Sequence, residues 1–204
     1  SIFRIGAGAT PFLLPLLFQL GFGLTPFQSG MLTFASALGA LAMKFLAPFT
    51  LRAGGFRNVL LGTAACSGCF IAASALFTPE TPHAVIIAVL VGAGFLRSLF
   101  FTSTNALVFA DIDDKDASQA TAISAASQQI TVAIGVAVGG GILEGMTYLT
   151  GEPIGPAAFS TAFVVVGVIT LFALVPFATL PKDAGSSVSG HRVRGPAGEE
   201  PPAA

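Results

Sequence analysis

Six predominantly apolar runs, at about 2–24, 30–51, 58–77, 83–110, 117–144 and 158–180, divide this chain, with short polar connections between them. A helix needs roughly 20 apolar residues to cross the hydrocarbon core of a membrane. Strands are a poor reading, because a barrel strand alternates apolar and polar positions over about ten residues, and these runs are long and continuous. Helices satisfy their own backbone groups where lipid cannot. The pattern predicts an all-α membrane protein with six transmembrane helices over residues 1–181. From Lys182 the chain turns to Gly, Ser, Pro and charge. Such composition cannot bury enough surface to order a segment, so residues 182–204 are expected to form a disordered cytoplasmic tail.

The spans differ in polarity. Gln19 lies in the first, Arg97, Ser103 and Asn105 in the fourth, Gln128 and Gln129 in the fifth, while the third and sixth are nearly featureless. Polar side chains at membrane depth face protein or water rather than lipid. The first, fourth and fifth spans are therefore expected at the centre and the third and sixth at the periphery. The second and fifth carry small residues about four apart, Ala35, Ser36, Gly39 and Ala40 in one and Gly135, Gly139, Gly140 and Gly141 in the other. That spacing lets helices approach closely. It serves either packing within a bundle or a surface that slides against another.

Composition reinforces the membrane reading. The chain is 53% hydrophobic and 9% charged, against about 25% charged in soluble domains. A net charge of −1 argues against nucleic acid as a partner. Lys and Arg alternate by connection. Arg4 opens the first span, Arg52 and Arg57 follow the second, Lys115 the fourth, and Lys182, Arg192 and Arg194 the sixth. The connections around 25–29, 79–83 and 145–157 carry none. Basic loops stay cytoplasmic, so both termini are expected there. The chain opens at Ser1 without Met, and is read as a piece of a longer polypeptide.

Chemistry-bearing residues are few. Pro11 and Pro15 each remove a helical donor, so the first span should kink, as a fixed bend or a gate. Arg97 stands roughly 20 Å along the axis from Asp111, too far to reach the interface easily. It faces either a polar cavity or the carbonyls of a neighbouring helix. Phe101 and Thr104 share its helical face, and Asn105 lies on the adjoining strip. Lys44 is near enough to the span's end to snorkel. Cys66 and Cys69 form C-x-x-C on an apolar helix without further ligands, so they read as small apolar side chains. The acidic run from Asp111 to Asp116 lacks the Gly and the closing Glu of a calcium loop. Asp116 with Gln119 instead fits a capping box. No nucleophile–base set or metal-spaced pair occurs, so neither an enzyme nor a cofactor is expected.

Taken together, the stretches from Arg4 to Gln19, from Arg97 to Asp111, and from Gln119 through Gln129 into Ile134–Val138 resemble the C-terminal half of a major facilitator superfamily transporter. They are most similar to the fourteen-helix drug:proton antiporters of multidrug efflux. In the segment 52–57, Gly55 and Arg57 look like the second copy of the superfamily's basic cytoplasmic loop motif, without its acidic residue. The resemblance implies that the first and fourth spans line the substrate path, with Arg97, Phe101, Thr104, Asn105 and Gln19 as candidates. It also implies that the second and fifth spans rock against a missing N-terminal half, with Pro11, Pro15, Gly39, Gln128, Gly135 and Gly139 as gating or interdomain candidates. Alternating access about a midplane site follows from that architecture. Asp111 and Glu144 sit at helix ends, so proton-coupling carboxylates are expected in the missing half. The implied partners are the lipid bilayer, that half, a small-molecule substrate and protons, in a bacterial inner membrane. A six-helix subunit acting as a dimer, and a non-transporting membrane binding or regulatory protein of the same fold, are the alternatives.

Overall fold

The computed structural model describes residues 2–109 and 117–178, and side-chain surroundings for 2–46, 57–106 and 117–176. The expected tail and the Asp116 cap lie outside the described residues, and Gly55 lies outside those whose surroundings are described. Six helices are long and apolar enough to cross a membrane, as the sequence predicts: α1 (Ile2–Gly21), α2 (Pro26–Leu46), α3 (Arg57–Leu76), α4 (His83–Ala106), α5 (Ala117–Thr150) and α6 (Pro156–Pro176). No strand occurs among the described residues.

Local chemistry explains several boundaries. The α-helix runs through both prolines from Ile2 to Leu16 and then widens to a π turn at Leu17–Gly21. The irregularity follows Pro15 by one turn, where the Phe22 amide donates to the Leu17 carbonyl at 3.0 Å. Gly23, at φ 69°, turns the chain in a conformation that suits a residue without Cβ. A capping box then opens α2. The Gln28 amide donates to Thr25 Oγ1 at 3.3 Å, and the Thr25 amide donates to Gln28 Oε1 at 3.0 Å, with Pro26 in the first turn.

The segment read as a loop between the second and third spans is helical. Backbone helix continues from Pro26 to Ala73 over 48 residues. A straight helix of that length would reach about 72 Å. Yet α4 touches both halves, with Gly94 against Ser36 and Gly92 against Phe70. The chain therefore reverses within helical geometry. At the other extreme, α5 runs to Thr150, beyond the expected end at 144, and stops at Gly151, φ 69°.

Two glycine seams organise the packing. Along α1 and α5, Gly8 lies against the Val132 backbone, Gly135 against the Ile5 carbonyl and Ala9 amide, and Gly139 against Leu13. Along α2 and α4, Gly39 meets the Val91 carbonyl and Gly94 the Ser36 carbonyl. A Cβ at Gly8, Gly39, Gly94 or Gly135 would run into backbone. Ser98 Oγ donates across the second seam to the Ala40 carbonyl at 3.3 Å. α3 and α6 join the pairs, with Gly68 against Leu171, Gly167 against Ala72, and Ser160 Oγ donating to the Ala75 carbonyl at 2.8 Å.

Burial within this bundle by itself differs from helix to helix. α1 is 56% buried and α6 44%, whereas α4 is 28% and α5 22%. Of the amides on the polar helices, Asn105 and Gln129 are exposed and Gln19 and Gln128 partly exposed. The three connections free of Lys and Arg share one end, where Leu24, Phe77 and Ile154 belong to one apolar cluster. Phe3, Leu60, Phe100 and Ala173 form a second cluster towards the other end.

Candidate functional site

An apolar cavity of about 270 Å³ opens between α1, α2 and α4. From α1 it takes Phe3, Ala7, Thr10, Pro11, Leu14 and Pro15; from α2, Thr33 and Ser36; from α4, Leu90, Ala93, Gly94 and Arg97, with Ile71 of α3 as a further wall. Helical geometry builds these faces. Positions 3, 7, 10, 11, 14 and 15 recur at three- and four-residue steps on one side of α1, and 90, 93, 94 and 97 do so on α4. Pro11 and Pro15 thus face this cavity. Ser29 Oγ, from the first turn of α2, donates to the Pro15 carbonyl at 3.4 Å beside it.

Polar atoms in the wall are few and already directed. Thr10 Oγ1 donates to the Gly6 carbonyl at 2.8 Å, Thr33 Oγ1 to the Ser29 carbonyl at 3.0 Å, and Ser36 Oγ to the Thr33 carbonyl at 2.9 Å. Arg97 makes no hydrogen bond or ion pair with any described residue. Arg97 lines the pocket between α1, α2 and α4.

One turn past Arg97 lies an aromatic layer. Phe3 stacks on Phe100 with centroids 3.6 Å apart and planes 18° from parallel, and Phe101 meets both rings edge-on. The Arg4 guanidinium lies 5.5 Å above the Phe101 ring. Arg4 is buried, 7% exposed. A ring face offers a cation the negative end of its quadrupole, so Phe101 partners Arg4 where no described carboxylate does.

The remaining candidates disperse. Phe101 belongs to the aromatic layer, Thr104 Oγ1 is buried without a hydrogen-bond partner, and Asn105 is exposed. Gln19 lies on the π turn and does not line the cavity. Gly39, Gly135 and Gly139 are turned into the two seams inside the bundle. Gln128 is partly exposed. Arg57 is partly exposed too, with its Nε buried. Sequence reasoning missed the α2 contribution, although Thr33 and Ser36, three apart, are a polar pair on one helical face. It also counted Arg4 only among the basic residues of the cytoplasmic side, since an arginine in the first turn of a span looks the same whether it snorkels or packs.

A family model described as Major Facilitator Superfamily matches residues 1–199. Among curated relatives, "Putative multidrug resistance protein MdtD" of Enterobacter sp. (strain 638) is 29% identical over 91% of this chain and 40% of its own length. The proteins of that name from Serratia proteamaculans (strain 568) and Yersinia enterocolitica are 26% and 25% identical, over 88% and 90% of this chain and 38% and 40% of theirs. The chain thus spans about 40% of the length of the curated relatives it matches. No solved structure matches. Because the family match runs through all six spans rather than one pair, it identifies the whole bundle, and the chain belongs to the Major Facilitator Superfamily of membrane transporters.

Proposed function

We propose that this bundle is the C-terminal half of a secondary transporter that exports drugs or other small molecules by alternating access. The observation that carries the reading is the family match over residues 1–199 in a chain spanning only 40% of its relatives. The fold supports it: one wall of a cavity is present, and α2 and α5 leave broad apolar faces uncovered. On α2 these are Phe27, Met31, Phe34, Leu38, Leu41 and Phe45, at alternating steps of three and four. On α5 they include Ile123, Ile130 and Ile134. In this reading a second half covers them and supplies the carboxylates for proton coupling. Neither the cavity wall nor the seams of this bundle contain an acid among the described residues.

Expressed by itself, the chain should insert into a membrane and carry nothing. Vesicles containing it, and vesicles containing a full-length polypeptide that includes it, are compared for uptake of fixed-charge lipophilic ions of both signs, with and without a pH gradient. Gradient-dependent uptake by the full-length protein alone supports the reading. Uptake by this chain alone would replace it with the dimer.

The orientation is part of the same proposal. Ile154 faces outside and Asp114 the cytoplasm, on the alternation of basic connections. Single cysteines at these positions, without Cys66 and Cys69, are treated with an impermeant reagent on intact cells. Labelling of 114 but not of 154 reverses the assignment.

A further inference from the structure

The cavity has an uneven supply of hydrogen-bond donors and acceptors. Thr10, Thr33 and Ser36 each own one hydroxyl proton, and each gives it to a carbonyl of its own helix. What remains to them is lone pairs. Arg97 is the reverse, with five N–H donors, a permanent charge and no acceptor among the described residues. The described carboxylates stand elsewhere: Glu80 and Glu152 in connections at the far end, and Glu144 on the exposed side of α5. Arg4, the next cation, lies over Phe101, one turn along from Arg97. It adds to the positive potential.

We propose that Arg97 is the head-group site for a small anionic amphiphile, and that it sets this wall of the cavity to prefer anions over cations. The proposal rests on the transporter reading above. A carboxylate or sulfonate would take the planar guanidinium fork, where paired N–H groups meet paired oxygens. Its apolar body would lie along Phe3, Leu14 and Leu90. A volume of about 270 Å³ is near the lower end of ligand pockets, which suits a fused two-ring body. A cation in the same place would bring like charge to an arginine that has no carboxylate beside it among the described residues, in a medium that screens poorly.

The test uses the full-length transporter in vesicles and two probes sharing one ring system, 2-naphthalenesulfonate and 2-naphthyltrimethylammonium. Both carry fixed charge, so neither follows a pH gradient by itself. Uptake above empty vesicles is read as the sulfonate-to-ammonium ratio, which is independent of how much protein folds. The expected ratio exceeds one in the parental protein. It falls about tenfold in R97Q, as for loss of a charge-assisted hydrogen bond, and less in R97K, which keeps charge without the fork. A ratio unmoved by R97Q, or a parental preference for the ammonium probe, overturns the anion assignment while transport itself stands. Uptake of neither probe under any imposed gradient overturns the transporter reading and the assignment with it.

Discussion

At the end bearing the connections without Lys or Arg, the bundle is closed chemistry. Phe18, Phe159 and Phe163 are fully buried, and the Ser160 hydroxyl is held by the Ala75 carbonyl. Towards the other end the same number of helices encloses something less settled. Phe3 and Phe100 stack, but beside them lie a buried Arg4, an unpaired Arg97, and Ser103 and Thr104 hydroxyls without partners. At the first end the aromatic core of Phe18, Phe159 and Phe163 is packed within the chain. Buried donors and charges need acceptors, and this region leaves that need open. The difference separates the part of the sequence that makes the fold from the part available for chemistry.

The comparison is most exposed to failure at Phe159. Phe159→Ala should cost about 3–5 kcal/mol, as for a large aromatic removed from a closed core, measured by reversible denaturant unfolding of the full-length protein. A smaller loss than at Phe101 would reverse the ranking of the two ends. Gly135→Val should cost about 1–3 kcal/mol by forcing a side chain into the Ile5 carbonyl. Gly141→Val, with nothing within 4 Å of the new Cβ, serves as its partner and should be near neutral. Equal effects at the two glycines would remove the α1–α5 seam from the account.

At the arginine end the numbers shrink. Phe101→Leu keeps apolar bulk but removes the ring under Arg4, and should cost about 1 kcal/mol in the same assay. A cost above that of Phe159→Ala would mean that this layer, not the far core, anchors the bundle. The smallest expected change is Ser160→Ala, about 0.6 kcal/mol, typical of a hydrogen bond between membrane helices. A double-mutant cycle with Phe159→Ala sharpens the picture. Coupling between the two is expected, since adjacent groups in one cluster rarely act additively.

Much of the architecture was written in the sequence because lipid imposes a simple rule on it. The six spans are readable from apolar length alone, and Arg97 stands out because a charge in that setting requires a reason. Which surface a glycine serves is not readable in the same way. Gly39, Gly135 and Gly139 mark a close approach, but spacing cannot say whether the partner is in this chain or beyond it, and the structure puts all three partners inside. Gln19 shows another limit. Its four-residue spacing from Pro15 suggests the same face, but Pro15 is the last α1 residue to line the cavity, and Gln19 lies beyond it on the π turn that starts at Leu17. Arg4 was hidden by its place in the sequence, for only its meeting with Phe101, nearly a hundred residues on, distinguishes it from an interfacial charge.

The α1–α5 seam also fixes an order in time. The glycines of α2 meet α4 soon after both have left the ribosome, whereas Gly8 of α1 waits for Val132, and Ile5 for Gly135. Contacts so distant along the chain close late, because the intervening loop must first give up its freedom. Until then α1 holds its glycine face bare in the bilayer, so the first span of this bundle is among the last of the six to be completed.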